Sequence, residues 1–382
     1  MSTIVHSAAL IDGGTRTDAA WVRFAGGRVA ERGTGRSWQD AGADTVVDAA
    51  ELAGPGAILS PGFVDIHGHG GGGFAFDDGP DAIRAARATH RRHGTTSAVV
   101  SLVTAPLDDL VRRTRMIAEL ARTDADILGS HLEGPFLDPA HRGAHDPAAL
   151  ASPVAVEALL TAGAGTVRQV TIAPELPGAF EAIRDLTAAG AVAAVGHTGA
   201  DAALTAAAFD AGARILTHVF NAMPGLHHRA PGPAGAALTD DRVTIELIAD
   251  GVHVHPELVR IAFAAAPGRI ALVSDAMAAT GVGDGRYTLG RLTVDVTGGV
   301  ARLADGGAIA GSTLTQDHAV RVAVAAGVPL PEALRAVTAT PARAIGAGDE
   351  VGHLRPGGRA DAVLLDAGLN VRAVWAGGAP VR

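Results

Sequence analysis

The chain has no cysteine among its 382 residues. Disulfides, thiolate metal ligands and cysteine nucleophiles are therefore excluded together. It also has no lysine, since all 31 basic residues are arginine. A phosphate-binding loop ending in Gly-Lys-Ser/Thr cannot form, nor can a lysine Schiff base, nor a metal pair bridged through lysine. Aromatic residues are 3% of the chain, so the core must come from Ala, Val, Leu and Ile, and a hydrophobic content of 48% is ample for a large one. No apolar run approaches the ~18 residues of a membrane span. The start, Met1-Ser2-Thr3-Ile4-Val5-His6, lacks the basic region and apolar stretch of a signal peptide. A soluble, cytoplasmic protein without a membrane partner is the expectation. A formal net charge of −9 argues against general nucleic-acid binding. The 50 glycines follow no fixed period, which excludes collagen-like and solenoid folds.

The length suits a (β/α)8 barrel with an attachment. Eight apolar strand-like runs stand at 62–66, 95–102, 126–131, 167–173, 191–196, 213–218, 243–249 and 270–274. Between them lie Ala-rich helical patterns at 81–93, 107–122, 179–189, 201–211 and 256–266. Alternation of this kind implies parallel pairing, and eight repeats imply a closed barrel more than an open sheet. Residues 285–305 read as an inserted hairpin before two closing helices at 315–326 and 331–345. Both ends are β-rich. Ala20–Phe24 and Arg28–Ala30 flank the turn Ala25-Gly26-Gly27, Thr45–Asp48 is another short strand, and Asp361–Asp366 and Val371–Trp375 match them in style. The expected architecture is α/β, a TIM-like (β/α)8 barrel over 57–345 with a small β-sandwich domain formed from both termini, 1–56 and 346–382.

In such a barrel the active site lies at the C-terminal ends of the strands. The first run ends in His67-Gly68-His69. Alternate residues of a strand share a face, so both imidazoles can point at one metal ion. The third run enters His131-Leu132-Glu133-Gly134-Pro135, the fifth ends in His197, and the sixth in His218. The seventh leads into Asp250-Gly251-Val252-His253 and the eighth into Asp275. Six of eight strands thus finish in His, Glu or Asp, which random placement of 16 histidines would not do. A metal-dependent hydrolase barrel follows. Each residue also has a plainer reading. His131 reads as structural. Glu133 could cap a turn, but among several other candidate ligands it reads as a ligand. One histidine after an apolar run is usually a satisfied core group; His197 and His218, with Glu133 and the His pair, read as ligands. Asp275 could cap a helix, yet its place at the last strand's end suits a proton shuttle. The run Gly70–Gly73 reads as a flexible loop beside the metal.

Further segments carry a resemblance. Pro61-Gly62-Phe63-Val64-Asp65-Ile66-His67, His131-Leu132-Glu133-Gly134-Pro135-Phe136, Gly196-His197-Thr198, Thr217-His218-Val219-Phe220-Asn221-Ala222-Met223, Ile248-Ala249-Asp250-Gly251-Val252-His253, Ser274-Asp275-Ala276, Gly311-Ser312-Thr313-Leu314 and Thr340-Pro341-Ala342-Arg343-Ala344-Ile345-Gly346 follow in order. With them the chain resembles the N-acetylglucosamine-6-phosphate deacetylases of the amidohydrolase superfamily over essentially its whole length. The resemblance implies metal-dependent deacetylation of N-acetylglucosamine 6-phosphate to glucosamine 6-phosphate and acetate, in amino-sugar catabolism or cell-wall recycling. It implies one metal position at Glu133, His197 and His218. A second would use His67, His69 and Glu133, touched by Asp275, with Glu133 in the bridging place that lysine fills in many amidohydrolases. Nitrogen and oxygen donors without sulfur suit Zn2+, while Fe2+, Mn2+ and Co2+ stay open, at one or two ions per subunit. Asp275 would move the proton and His253 would polarise the carbonyl. Gly134, His145, Asn221, Ala222, Arg229, His253 and Ile309 would bind substrate, with His227 and His228 beside Arg229 in one loop. Arg229 would reach the neighbouring subunit's phosphate site, implying a homodimer. Two other readings stand beside this one: the C4-epimeric N-acetylgalactosamine 6-phosphate as substrate, and a non-catalytic binding protein of the same fold.

Overall fold

The computed structural model describes residues 2–305 and 307–381. Eight parallel strands form one sheet in chain order: Phe63–Asp65, Thr95–Val103, Ile127–Glu133, Val167–Ile172, Val192–Val195, Ile215–Leu216, Thr244–Leu247 and Ile270–Leu272. Each of the eight runs read from the sequence contains or overlaps one of them. Every residue of Thr95–Val103 is buried, as expected of a parallel strand covered on both faces. At the seam between the first and eighth strands, the Asp275 N–H donates to the His67 carbonyl (2.9 Å) and the Ser274 N–H to the Asp65 carboxylate (3.3 Å). The seam therefore ties two site segments together.

Helices Pro80–Arg92, Leu107–Thr123, Ala179–Ala188, Ala202–Ala211 and Pro256–Ala265 lie where the Ala-rich patterns placed them. Three others, Ala49–Ala53, Val156–Gly163 and Gly232–Leu238, escaped the reading. They are short, and Gly232-Pro233 at the start of one disguises it as a turn. The single closing helix expected over 331–345 is two, Leu330–Ala336 and Ala339–Ala344. Pro341 lacks the N–H that would continue the first. The insertion is a three-stranded meander, Gly285–Leu289, Leu292–Thr297 and Val300–Leu303, rather than a hairpin. It closes over a small core of its own that includes Met277, Leu289 and Val294.

The two ends of the chain build a second eight-stranded sheet. Its long first strand, Ser2–Asp12, is forked. Residues 3–6 pair with Thr45–Asp48, while Ala9 and Leu10 pair with Ile58 and Leu59. The fork wraps the sheet around Val22, Phe24, Leu59, Leu364 and Trp375. Ile58–Pro61 belongs to this sheet, pairing with Ala362–Leu365 as well, so the crossing into the barrel falls at Gly62 and not after residue 56. A Cβ on Gly62 would stand 2.1 Å from the Thr96 hydroxyl, so the crossing requires glycine.

The run Gly70–Gly73 is a packed turn, not a flexible loop. Gly70–Gly71 pairs with Phe74–Ala75. A Cβ on Gly70 would meet the Phe74 carbonyl at 2.4 Å, and one on Gly71 the His90 ring at 2.8 Å. His90 Nε2–H donates to the Gly70 carbonyl at 2.8 Å and anchors the hairpin that follows His69. Burial, helped by the Arg87 guanidinium, pushes the His90 imidazole down to about 4. The folded value thus lies below the unfolded one of ~6.5. As pH falls below ~6.5 the unfolded chain takes up a proton that the native state refuses, so stability is lost down to about pH 4. Urea unfolding at pH 7 and pH 5 should show His90→Gln losing about 1–2 kcal/mol less than the native chain over that interval. Equal losses would remove His90 from this role.

Candidate active site

The strand ends converge on Glu133. Its Oε1 lies 3.2 Å from His67 Nε2, 3.0 Å from His197 Nε2 and 3.0 Å from His218 Nε2. Its Oε2 lies 3.0 Å from His69 Nε2, which is itself 3.2 Å from Asp275 Oδ1. All six residues are buried. Two sets of ligand atoms close enough to hold a cation result: His67, His69, Glu133 and Asp275, and Glu133, His197 and His218.

Hydrogen bonds on the far sides of the rings decide what these atoms offer. His197 Nδ1 stands 2.9 Å from the His141 carbonyl, which can only accept. Nδ1 therefore carries a proton, and Nε2 is the nitrogen turned toward Glu133. His218 Nε2 and His197 Nε2 lie 3.0 Å apart, and His69 Nε2 and His67 Nε2 3.3 Å apart. Lone pairs crowded onto a carboxylate repel unless positive charge stands among them. The imidazole pKa values point the same way. Burial pushes His69 down, but hydrogen bonds to Asp275 and Glu133 outweigh it and hold the ring up at about 9. His67 is likewise raised well above its ordinary value by Glu133 and Glu246, against burial. A proton or a divalent cation can supply the charge, and the two compete for the same lone pairs. The donor set fits a divalent cation held by nitrogen and oxygen.

Above this floor lies a cavity of about 440 Å³ whose wall includes His145, Asn221, Ala222, His253, Asp275 and Ile309. His145 Nδ1 is 2.8 Å from the Thr104 hydroxyl and its Nε2 3.5 Å from Glu133. Burial pushes this imidazole down to about 4, so it is neutral. His253 Nδ1 is held 2.6 Å from Asp250 Oδ2. Burial opposes the charged ring, but the Asp250 carboxylate prevails and raises its pKa. Burial also pushes Asp275 up, yet the His69 hydrogen bond and the His67 charge hold it below the usual carboxylate value. Gly134 does not line this cavity; it is buried at φ +92, where a Cβ would meet Thr104 Oγ1 at 2.1 Å. Asn221 spends its amide N–H groups on the His218 and Val219 carbonyls at 3.2 Å each.

Arg229 lies apart. It is exposed, with His227 and His228, and lines a separate cavity beside Asp201 and Pro224. Among the described residues no carboxylate pairs with it. His131 is brought to the site without joining it. Its nitrogens face the Ser101 and Thr171 hydroxyls, each at 2.9 Å, and burial drives its pKa well below the ordinary value.

The turns that aim these groups are strained. His197 (φ 47), His218 (φ 23), Ala222 (φ 51) and Asp275 (φ 48) all adopt the left-handed region. Non-glycine residues there cost on the order of 1–3 kcal/mol each and cluster at functional sites. Sequence reading missed the groups behind the front row: Thr104, the His141 carbonyl, and above all Glu246, whose carboxylate meets His67 Nδ1 at 2.9 Å. Glu246 had a signal, being a lone acid inside Val243-Thr244-Ile245-Glu246-Leu247-Ile248, where a buried strand otherwise carries apolar residues.

The sequence pattern of the amidohydrolase family matches residues 58–381. An N-acetylgalactosamine-6-phosphate deacetylase of Escherichia coli O157:H7 is 43% identical, over 83% of this chain and 86% of that one. The N-acetylglucosamine-6-phosphate deacetylase of Bos taurus is 40% identical, over 85% of this chain and 83% of that one. The N-acetyl-D-glucosamine-6-phosphate deacetylase of Mycobacterium smegmatis superposes with a TM-score of 0.92 at 43% identity, covering 100% of both chains.

The geometry makes Glu133 common to both ligand sets and His69 private to one. Elemental analysis after dialysis should therefore find Glu133→Ala depleted of cation at both positions, and His69→Ala at one. Equal depletion of the two variants would contradict the shared role.

Proposed function

The chain belongs to the amidohydrolase family, and from that premise we propose that it hydrolyses the acetamide of N-acetyl-D-glucosamine 6-phosphate to glucosamine 6-phosphate and acetate. The observation that carries the reading is the crowding of four imidazole Nε2 atoms and two carboxylates on the floor of one cavity. A second substrate has its own support: the relative at 43% identity acts on N-acetylgalactosamine 6-phosphate.

We take the residues that hold the cation to be His67, His69, Glu133, His197, His218 and Asp275, and the cation to be Zn2+, which suits nitrogen and oxygen donors. When bound, such an ion lowers the pKa of water toward neutrality and polarises a carbonyl. The protein's own groups do the rest. Asp275, held below its ordinary pKa, is an ionised base at neutral pH. It accepts a proton from water as the water oxygen bonds to the acetamide carbon, then returns that proton to the amine nitrogen as the C–N bond breaks. An amine is a poor leaving group until it is protonated. His253, its Nδ1 fixed on Asp250, donates from Nε2 as imidazolium to the oxygen on which negative charge develops. His145, Asn221, Gly134, Ala222 and Ile309 orient the sugar. Arg229 supplies a two-pronged guanidinium for the 6-phosphate of a neighbouring subunit, so the working unit is a homodimer. We place the enzyme in the cytoplasm, since a sugar bearing a phosphate dianion does not pass an apolar barrier unaided.

Acetate release from the two epimeric sugar phosphates tests the reading. Turnover of the gluco-sugar is expected, and a preference for the galacto-sugar would transfer the assignment to the second substrate. Asp275→Asn should lower kcat by roughly 10²–10⁴-fold while its cation content persists; near-native turnover would remove the proton shuttle. Arg229→Ala should raise KM for the phosphorylated sugar by about tenfold or more and leave kcat nearly unchanged. An unaltered KM would take Arg229 out of the phosphate site.

A further inference from the structure

The seventh barrel strand carries a carboxylate that the proposed reaction does not use. Glu246 lies in Thr244–Leu247 and is 0% exposed. Among the described residues its one ion-pair partner is His67, and no arginine reaches it. Burying an unpaired carboxylate is costly, so its surroundings must account for it. Gln169 Nε2 donates to Oε1 at 2.7 Å. Oε2 faces the backbone N–H of His218 at 3.4 Å and His67 Nδ1 at 2.9 Å.

We infer that Glu246 is a positioning residue that fixes the His67 tautomer and adds the negative charge needed for a second divalent cation at the His67 and His69 position. The inference rests on the metal-dependent reading above. The backbone N–H and the Gln169 amide N–H both donate to Glu246, and His67 Nδ1–H completes the set. The His67 proton then sits on Nδ1, leaving Nε2 to face Glu133 and His69 at 3.2 and 3.3 Å. The other strand-end rings show that this is selective. His69 Nδ1 and His218 Nδ1 have no hydrogen-bond partner. The tied histidines are His67, held by Glu246, and His197, held by the His141 carbonyl, one in each ligand set. Charge points the same way. Two divalent cations bring four positive charges, against two negative charges from Glu133 and Asp275. Glu246 is a third negative charge, and it stands behind the position with the larger ligand set.

The test is cobalt titration of the metal-free full-length protein, followed by visible absorption and equilibrium dialysis. The native chain should bind two equivalents. Glu246→Gln should bind one of them with native affinity and the other about 10–100-fold more weakly. In a His67→Gln background, Glu246→Gln should cost nothing further, because it acts through His67. A merely structural Glu246 would instead weaken both positions, or add its loss to that of His67→Gln. Either result, or native-like titration of both positions, overturns the inference. If Glu246→Gln does not fold by circular dichroism, Gln169→Met serves instead. It removes the donor to Oε1 and should weaken the same single position by a few-fold; no change there overturns the inference. Acetate release is scored separately. Native turnover with an indifferent Glu246 sinks this inference alone. Two native cobalt sites without deacetylation sink the substrate reading alone.

Discussion

Glu133 Oε1 faces three imidazole nitrogens within 3.2 Å, and the rest of the molecule is arranged around that crowding. Groups that each offer electron density to a common centre do not assemble on their own. They are forced together by a scaffold whose stability comes from elsewhere. The barrel supplies it through a core that also takes in Ile11, Ile58 and Val374 of the terminal sheet, built mostly from aliphatic residues with few rings. Hydrophobic burial is non-directional and large, so it can offset a small directional repulsion at one end of the strands. The same core can sustain strained backbone at His197, His218 and Asp275.

The order of the strands explains which residues can meet. His67 and His69 come from the first strand's end, Glu133 from the third, His197 and His218 from the fifth and sixth, and Asp275 from the eighth. In an open sheet the first and eighth would stand at opposite edges. Here the Asp275 N–H bonds the His67 carbonyl, so closure of the barrel and assembly of the four-residue ligand set are one event. Anything that loosens the seam also separates Asp275 from the imidazoles it serves. The hairpin at Gly70–Ala75 buttresses the same corner, which is why four glycines stand there: three of the four leave less than 3 Å for a Cβ.

How legible was this in the sequence? The alternation of apolar runs with Ala-rich periodic segments displayed the barrel, because a parallel strand buried on both faces has to be apolar throughout. Strand ends were readable for the same reason: a histidine after such a run breaks a pattern. What escaped obeyed no local rule. Helix Gly232–Leu238 hides behind Gly-Pro, and the long strand Ser2–Asp12 owes its extent to three partners distant in sequence. The glycine run looked mobile because glycine is permissive in isolation, while its rigidity here comes from Thr89 and His90, neighbours that only the fold supplies. Arg229 was singled out by its loop, yet within one chain it lines a different cavity from the imidazoles.

The absence of lysine can now be given a structural consequence. A lysine bridge would enter from a strand end as a long side chain whose amine must first be carboxylated to an anionic carbamate. Glu133 enters with its charge built in and a shorter reach, so both ligand sets must draw in toward a single strand end. That brings His67 within 3.2 Å and His197 and His218 within 3.0 Å of one oxygen atom. In so compact a cluster the His67 nitrogen that faces inward is Nε2. The opposite nitrogen then needs an acceptor deep in the barrel, where water does not reach. A backbone carbonyl serves His197, which stands at the rim. His67 is 0% exposed, and its acceptor is a side chain. Glu246 fills that requirement from the seventh strand, and Gln169 from the fourth holds it in place. The lone acid in an apolar strand and the missing lysine are in this sense parts of one constraint.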